Sequence, residues 1–153
     1  MKTNADIGSS NLAPVDNPLE SLLGYQLRRA SHAMLDDLVS ALHDAGVRPT
    51  SASVVLLVAS NPGITQSRIG QVLAVERANM TPITANLRKQ GLLTRSRADG
   101  RSHGLHLTAK GKTAVAKIRK RIASHEERFW KDAKPADREA LLTFLRSLWK
   151  EQV

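Results

Sequence analysis

Apolar residues recur at helical spacing from Leu19 onward, at Leu19, Leu22, Leu23, Leu27, Ala30, Met34, Leu38, Ala41 and Leu42. Intervals of three and four bring these positions to one face of a helix. The pattern predicts one long amphipathic helix ending near Ala45, with Gly46 as its stop. Such a helix is roughly 40 Å long at 1.5 Å per residue, and a stripe of that length needs a partner surface. Ahead of it, residues 1–18 mix Asn, Asp, Ser, Gly and Pro and read as a flexible tail. From Thr50 to Ser60 the period is lost. The run Val54 to Val58 fits a buried strand, whereas Thr50 as a cap and Asn61-Pro62-Gly63 as a stop favour a short buried helix.

The next segment has a finer pattern. Thr65 is placed to cap a short helix carrying Ile69, Val72 and Leu73, followed by a brief turn at Ala74-Val75. A second helix carries Met80, Ile83 and Leu87 and ends at Gly91. Two short helices joined by a tight turn form the helix-turn-helix plan, whose second, recognition helix enters a DNA groove. Pro82 leaves two alternatives open. If Asn79 caps this helix, Pro82 falls in the first turn at little cost. If the helix starts near Glu76, Pro82 lies inside it and crowds the carbonyl of Ala78.

Leu92 to Arg95 then reads as a strand, Arg97 to Arg101 as a turn with Asp-Gly at its tip, and Gly104 to Leu107 as a second strand. In that second strand Leu105 and Leu107 share one face, and Gly104 and His106 the other. A hairpin directly after a helix-turn-helix is a wing. Beyond it, Thr108 caps a long helix with Val115, Ile118, Ile122 and Phe129 facing inward, and Lys134-Pro135 opens a last helix. Leu141, Leu145 and Leu148 form its stripe, with Phe144 and Trp149 beside it. Nothing else in the chain is large enough to cover these terminal stripes, so they predict a subunit interface. The fold class is mainly α with a small β-hairpin wing. Residues 1–18 are the tail, 19–48 an N-terminal dimerisation and effector-pocket helix, 49–107 the winged helix-turn-helix, and 108–153 the C-terminal dimerisation helices.

Charge changes this picture from a fold to a function. The 153-residue chain carries 23 Lys/Arg against 14 Asp/Glu. Between Ile64 and Arg121 there are 13 of those cations and only two acids, Glu76 and Asp99, so the segment holds +11 and the rest −2. A localised basic block is the footprint of a polyanion site, because neutralising phosphates releases counterions. All five aromatics, Tyr25, Phe129, Trp130, Phe144 and Trp149, lie outside it. Single strands are held by stacking bases on rings, so a basic block without rings points to a duplex. The absence of cysteine excludes disulfides, thiolate metal sites and thiol redox switches. The longest apolar run, Val54 to Ala59, has six residues, which excludes a transmembrane helix. With no apolar stretch near the N-terminus, a cytoplasmic protein without a membrane partner is expected.

Several stretches carry a family resemblance. Asn61-Pro62-Gly63-Ile64-Thr65-Gln66-Ser67 leads into the helix-turn-helix, and Leu87-Arg88-Lys89-Gln90-Gly91-Leu92-Leu93 leaves the recognition helix. Asp99-Gly100-Arg101 stands at the wing tip, and Leu107-Thr108-Ala109-Lys110-Gly111 starts the following helix. Their order and spacing over about residues 19–150 resemble the MarR family (multiple antibiotic resistance regulators) of winged-helix proteins. The resemblance implies a homodimer on a roughly palindromic operator, and often a repressor released by a small phenolic or aromatic carboxylate compound. Arg77-Ala78-Asn79-Met80 before Pro82 resembles a subgroup associated with aromatic catabolism, which implies an aromatic carboxylate or its CoA thioester as effector.

Within that frame, Arg77, Asn79, Thr81, Thr84 and Arg88 are expected on or near the exposed face of the recognition helix, where Arg pairs with guanine and Asn with adenine. Gln66 and Ser67 are expected at phosphates. Arg95, Arg97 and Arg101 are expected along the wing at a minor groove, with Asp99 positioning the loop or the Arg101 guanidinium. Tyr25, Arg28, Arg29, Ser31 and His32 cluster on the first helix, where the resemblance implies an effector pocket and Arg or His pairs with a carboxylate. His32 and Asp36 share a helix face, but two ligands make no metal site. No nucleophile elbow or phosphate-cradling loop is recognisable, so neither an enzyme nor a cofactor is expected. The alternatives are an architectural duplex binder indifferent to sequence and a helical module that meets an acidic protein.

Overall fold

The computed structural model describes residues 15–97 and 103–150, which form six helices and three short strands. In order these are α1 (Leu23–His43), α2 (Pro49–Ser60), β1 (Ile64–Thr65), α3 (Gln66–Leu73), α4 (Arg77–Lys89), β2 (Leu93–Arg97), β3 (His103–Leu107), α5 (Ala109–Trp130) and α6 (Pro135–Lys150). The chain divides into two compact units, one ending at Ala33 and one beginning at Met34.

In the first unit α1 begins at Leu23, four residues later than the apolar period suggested. Residues 18–21 form a turn instead, in which the Leu19 backbone N–H bonds the Asn17 side chain and the Leu22 N–H bonds the Leu19 carbonyl. Leu19, Leu22, Leu23 and Leu27 remain exposed.

The second unit is built around α2, which is apolar on all sides. Ala52, Val54, Val55 and Val58 are buried there with Leu42, Ile69, Met80, Leu87, Leu92, Leu93, Leu105, Val115 and Ile118. The segment left ambiguous by its pattern is therefore a helix. It starts two residues earlier than expected, with Arg48 rather than Thr50 at the cap position and Pro49 in the first turn, where its missing N–H costs nothing. The sheet order is β1-β3-β2, all antiparallel. The two-residue β1 is too short to leave a sequence pattern, and it changes the environment of β3. Ile64 pairs with Leu105 and Thr65 with Gly104, so Gly104 is buried where the alternation suggested solvent. A Cβ on Gly104 would lie 2.8 Å from the Gly63 carbonyl oxygen, so only glycine allows β1 this close.

Helix α5 starts where Thr108 accepts the Gly111 N–H at 2.9 Å, as the sequence suggested. Val115 and Ile118 are buried on its inner face, but Phe129, expected inward, is 38% exposed. The stripe reaches its polar end one turn earlier, at His125, which is buried. Its Nδ1 stands 2.6 Å from Asp37 of α1, and Arg128 closes on the same carboxylate through Nε and Nη2. The Phe129 ring packs edge-on against His125 at 5.2 Å. Arg128 first, and then His125, hold the Asp37 carboxyl below its usual pKa by hydrogen bonding to its charged form. Leu141, Leu142, Phe144, Leu148 and Trp149 of α6 are all exposed. No described helix is long and apolar enough to cross a membrane.

Candidate nucleic-acid interface

Three short elements converge on one polar surface. Thr65 accepts the Arg68 N–H and so caps α3, which ends where Ala74 takes a left-handed conformation at φ 50°. The Val75 N–H returns to the Gly70 carbonyl at 2.9 Å, and α4 begins two residues on. This tight turn makes α3 and α4 the two arms of a helix-turn-helix. Met80, Thr84 and Leu87 anchor α4 in the core. Val72 of α3, expected inside, is exposed.

The cap position of α4 is Glu76, which settles the Pro82 alternatives: Pro82 lies inside the helix, beyond its first turn. Helix α4 nevertheless runs unbroken to Lys89, and the Ala78 carbonyl has no N–H four residues ahead to meet it. Ala78, Pro82 and Ala85 are exposed together on the outer face of α4. All three side chains are small.

The candidate residues separate by position. Arg77, Thr81 and Arg88 recur at intervals of four and seven, on one exposed edge of α4. Asn79 is exposed too, but on the opposite edge, about 200° round from Arg77 at 100° per residue. Thr84 departs from its expected place on the exposed face. It is 1% exposed, and its hydroxyl faces the Gln66 Oε1 at 2.8 Å and the carbonyls of Met80 and Thr81. It is a core residue with a satisfied hydroxyl, since its place on the helix faces α3.

Gln66, Ser67, Arg77, Thr81 and Arg95 surround an open cleft of about 740 Å³ between α3, the start of α4 and the strands. Arg88, Lys89 and Arg95 line a second open hollow of about 520 Å³ where α4 meets β2. Among the described residues none of these cations has a carboxylate within salt-bridge distance, whereas Arg121 pairs with Asp44 at 2.8 Å and Arg138 with Glu126 at 3.6 Å elsewhere. The Gln66 carboxamide, expected to meet phosphate, is engaged within the protein. Its Nε2 donates to Thr81 at 3.0 Å, and its Oε1 also receives Arg95 at 3.4 Å. The Arg97 backbone ends β2 opposite His103, and Asp99 and Arg101 lie outside the described residues.

In the first unit, the Arg28 guanidinium stacks over the Tyr25 ring at 5.6 Å. Arg29, Ser31 and His32 are exposed. A hollow of about 170 Å³ is lined by Asn17, Glu20, Tyr25, Gln26 and Arg29, so the structure brings only two of the five candidates together there. It is smaller than the roughly 300–1,000 Å³ of a pocket for a small organic ligand.

Comparison with known proteins decides what this surface belongs to. A family model described as "MarR family" matches residues 45–102. The transcriptional repressor CouR, solved bound to a 23-mer DNA duplex, is 34% identical, with 89% of this chain and 99% of CouR covered and a TM-score of 0.83. The chain belongs to the MarR family. Members of this family regulate transcription and catalyse no reaction. CouR solved bound to p-coumaroyl-CoA is 35% identical over 85% of this chain and 93% of CouR, with a TM-score of 0.77. A candidate transcriptional regulatory protein for the hcr operon of Thauera aromatica is 28% identical over 147 residues, covering 94% of this chain and 89% of the relative. The mainly helical architecture with its small antiparallel sheet is the winged-helix fold of this family.

Proposed function

We propose that this MarR-family regulator is a homodimeric repressor that binds a specific, pseudo-palindromic duplex and releases it when an aromatic acyl-CoA thioester binds. The observation that carries the reading is the joint surface of α3, α4 and β2, on which exposed Arg77, Arg88, Lys89 and Arg95 have no carboxylate partner among the described residues. A cluster of this kind raises the local positive potential and attracts a polyanion, and duplex phosphates meet it with release of counterions. Arg77, Asn79, Thr81 and Arg88 read base edges from the two edges of α4, while Ser67 meets the backbone and Arg95 the minor groove. Arg97 and Arg101 extend the grip into the minor groove, with Asp99 orienting the tip.

Leu141, Phe144, Leu148 and Trp149, large apolar side chains that remain exposed, support the dimer. Two recognition helices then reach half-sites about one helical turn, roughly 34 Å, apart. The relation to CouR, solved with DNA and with p-coumaroyl-CoA, supports both the duplex and the class of effector. The cationic side chains of Arg28 and Arg29 suit the anionic part of such a ligand, with Tyr25, Ser31 and His32 beside them as hydrogen-bonding groups. An effector shifts the protein off DNA only by its differential affinity for the two states.

The test is release of a fluorescent operator duplex by p-coumaroyl-CoA and benzoyl-CoA, with the free acids and free CoA as controls. Release by a thioester and not by free CoA supports the reading. No release by any member of the panel overturns the effector class.

A further inference from the structure

Resting on the reading of α3, α4 and β2 as one duplex-binding surface, we propose that Gln66 is a positioning residue, not a phosphate contact. It sets the wing-strand Arg95 and the recognition helix α4 relative to each other. One carboxamide reaches all three elements. It belongs to the first residue of α3, donates to Thr81 of α4 at 3.0 Å, and accepts from Thr84 of α4 at 2.8 Å and from Arg95 of β2 at 3.4 Å.

The hydrogen-bond bookkeeping fixes its orientation. Thr81 spends its single hydroxyl proton on the Arg77 carbonyl at 3.0 Å, so it offers Gln66 only a lone pair, which the Nε2 group must meet. That turns Oε1 toward the Thr84 hydroxyl and the Arg95 guanidinium, both of which can donate. A carboxylate at this position lacks the donor and a lysine lacks the acceptor. Thr84 is buried in the core, so the end of this network away from solvent is immobile, and Arg95 is tied through Gln66 to a fixed point. Arginine loses much rotamer freedom when it binds, and a side chain already tethered loses less.

The variant is Gln66→Met, which keeps the length of the side chain and removes both polar functions. Thr84 still faces the Met80 and Thr81 carbonyls, so no buried hydroxyl is orphaned and the thermal midpoint of the wild type is expected to persist. Affinity for the operator is expected to fall roughly tenfold, while affinity for a scrambled duplex stays unchanged, because Gln66 sets the groups that read the grooves and makes no phosphate contact itself. In an Arg95→Ala background, Gln66→Met is expected to cost less than about threefold more, since coupled residues are not additive. Equal losses on both duplexes, or fully additive losses with Arg95→Ala, overturn the proposal and make Gln66 a direct contact. In the DNA-free protein, nuclear Overhauser contacts are expected between the Gln66 amide protons and the side chains of Thr81 and Thr84. Their absence overturns the bracing, whereas a wild type without any duplex preference overturns the proposed function alone.

Discussion

Gly111 sits in the first turn of α5 against the backbone of Leu92, at the junction between the winged helix-turn-helix and the long helices. A Cβ added there would stand 2.1 Å from the Leu92 carbonyl oxygen and 3.1 Å from its carbon. A carbon approaches a carbonyl oxygen to about 3.3 Å, so Gly111→Ala must open this contact by more than about 1 Å. The obstacle is backbone, so no rotamer relieves it. The same Leu92 carbonyl receives the Thr108 N–H at 3.1 Å, and Thr108 caps Gly111 at 2.9 Å, so the displacement also strains the start of α5. Overpacking of this severity costs about 3 kcal/mol, at the upper end of its usual range. Loss of the cap adds about 1 kcal/mol. The higher helix propensity of alanine returns at most about 1 kcal/mol. The net loss is about 3 kcal/mol, a fall of roughly 6–12 °C in Tm for a chain of this size. Urea unfolding of both proteins at one fixed protomer concentration measures it, since the stability of a dimer depends on concentration. A loss below about 0.5 kcal/mol would refute the reasoning, because it would mean that the α5 junction relaxes freely.

Three further outcomes are expected. Asp37→Asn removes the charge that holds Arg128 and His125. The folded pKa of Asp37 lies below its usual value, so its stabilisation is present above the usual carboxylate range and is lost as the pH falls through the folded value. The urea midpoint of the wild type should therefore exceed that of Asp37→Asn at pH 7 and converge with it below about pH 4, and a constant gap would contradict this. Leu148→Asp places a charge in the proposed subunit seam and should give monomers in sedimentation velocity, whereas a dimeric variant would refute that placement. Arg101→Ala should weaken operator binding about tenfold and leave the dimer intact, and unchanged affinity would sink the role of the wing tip.

The order of elements was legible in the sequence because strong local signals agreed with the tertiary structure. Thr65 and Thr108 stand before apolar stripes and do cap α3 and α5. Leu42, Met80, Leu87 and Ile118 recur at helical spacing and are fully buried. What escaped was long-range. Strand β1 has two residues and exists only because β3 lies beside it. Thr84 looked like one of several polar residues on α4, and only the approach of α3 makes it a core position. His125 falls on the stripe of Val115, Ile118 and Ile122, where a polar residue signals a buried partner, but nothing local points to Asp37, which is 88 residues away. Pro82 was undecidable because the helix start depends on which residue ends the turn after Ala74, and the surface of α4 that Ala78, Pro82 and Ala85 share follows from that start. The basic cluster itself was visible as charge. The cleft shared by Gln66, Arg77 and Arg95 required the fold.

The most direct test of the central claim is fluorescence anisotropy of the full chain on duplex DNA from upstream of its own coding sequence and on a scrambled duplex, at about 0.15 M salt. A specific regulator prefers the upstream duplex by roughly a thousandfold or more. Equal affinity for the two would contradict the account and favour a binder indifferent to sequence.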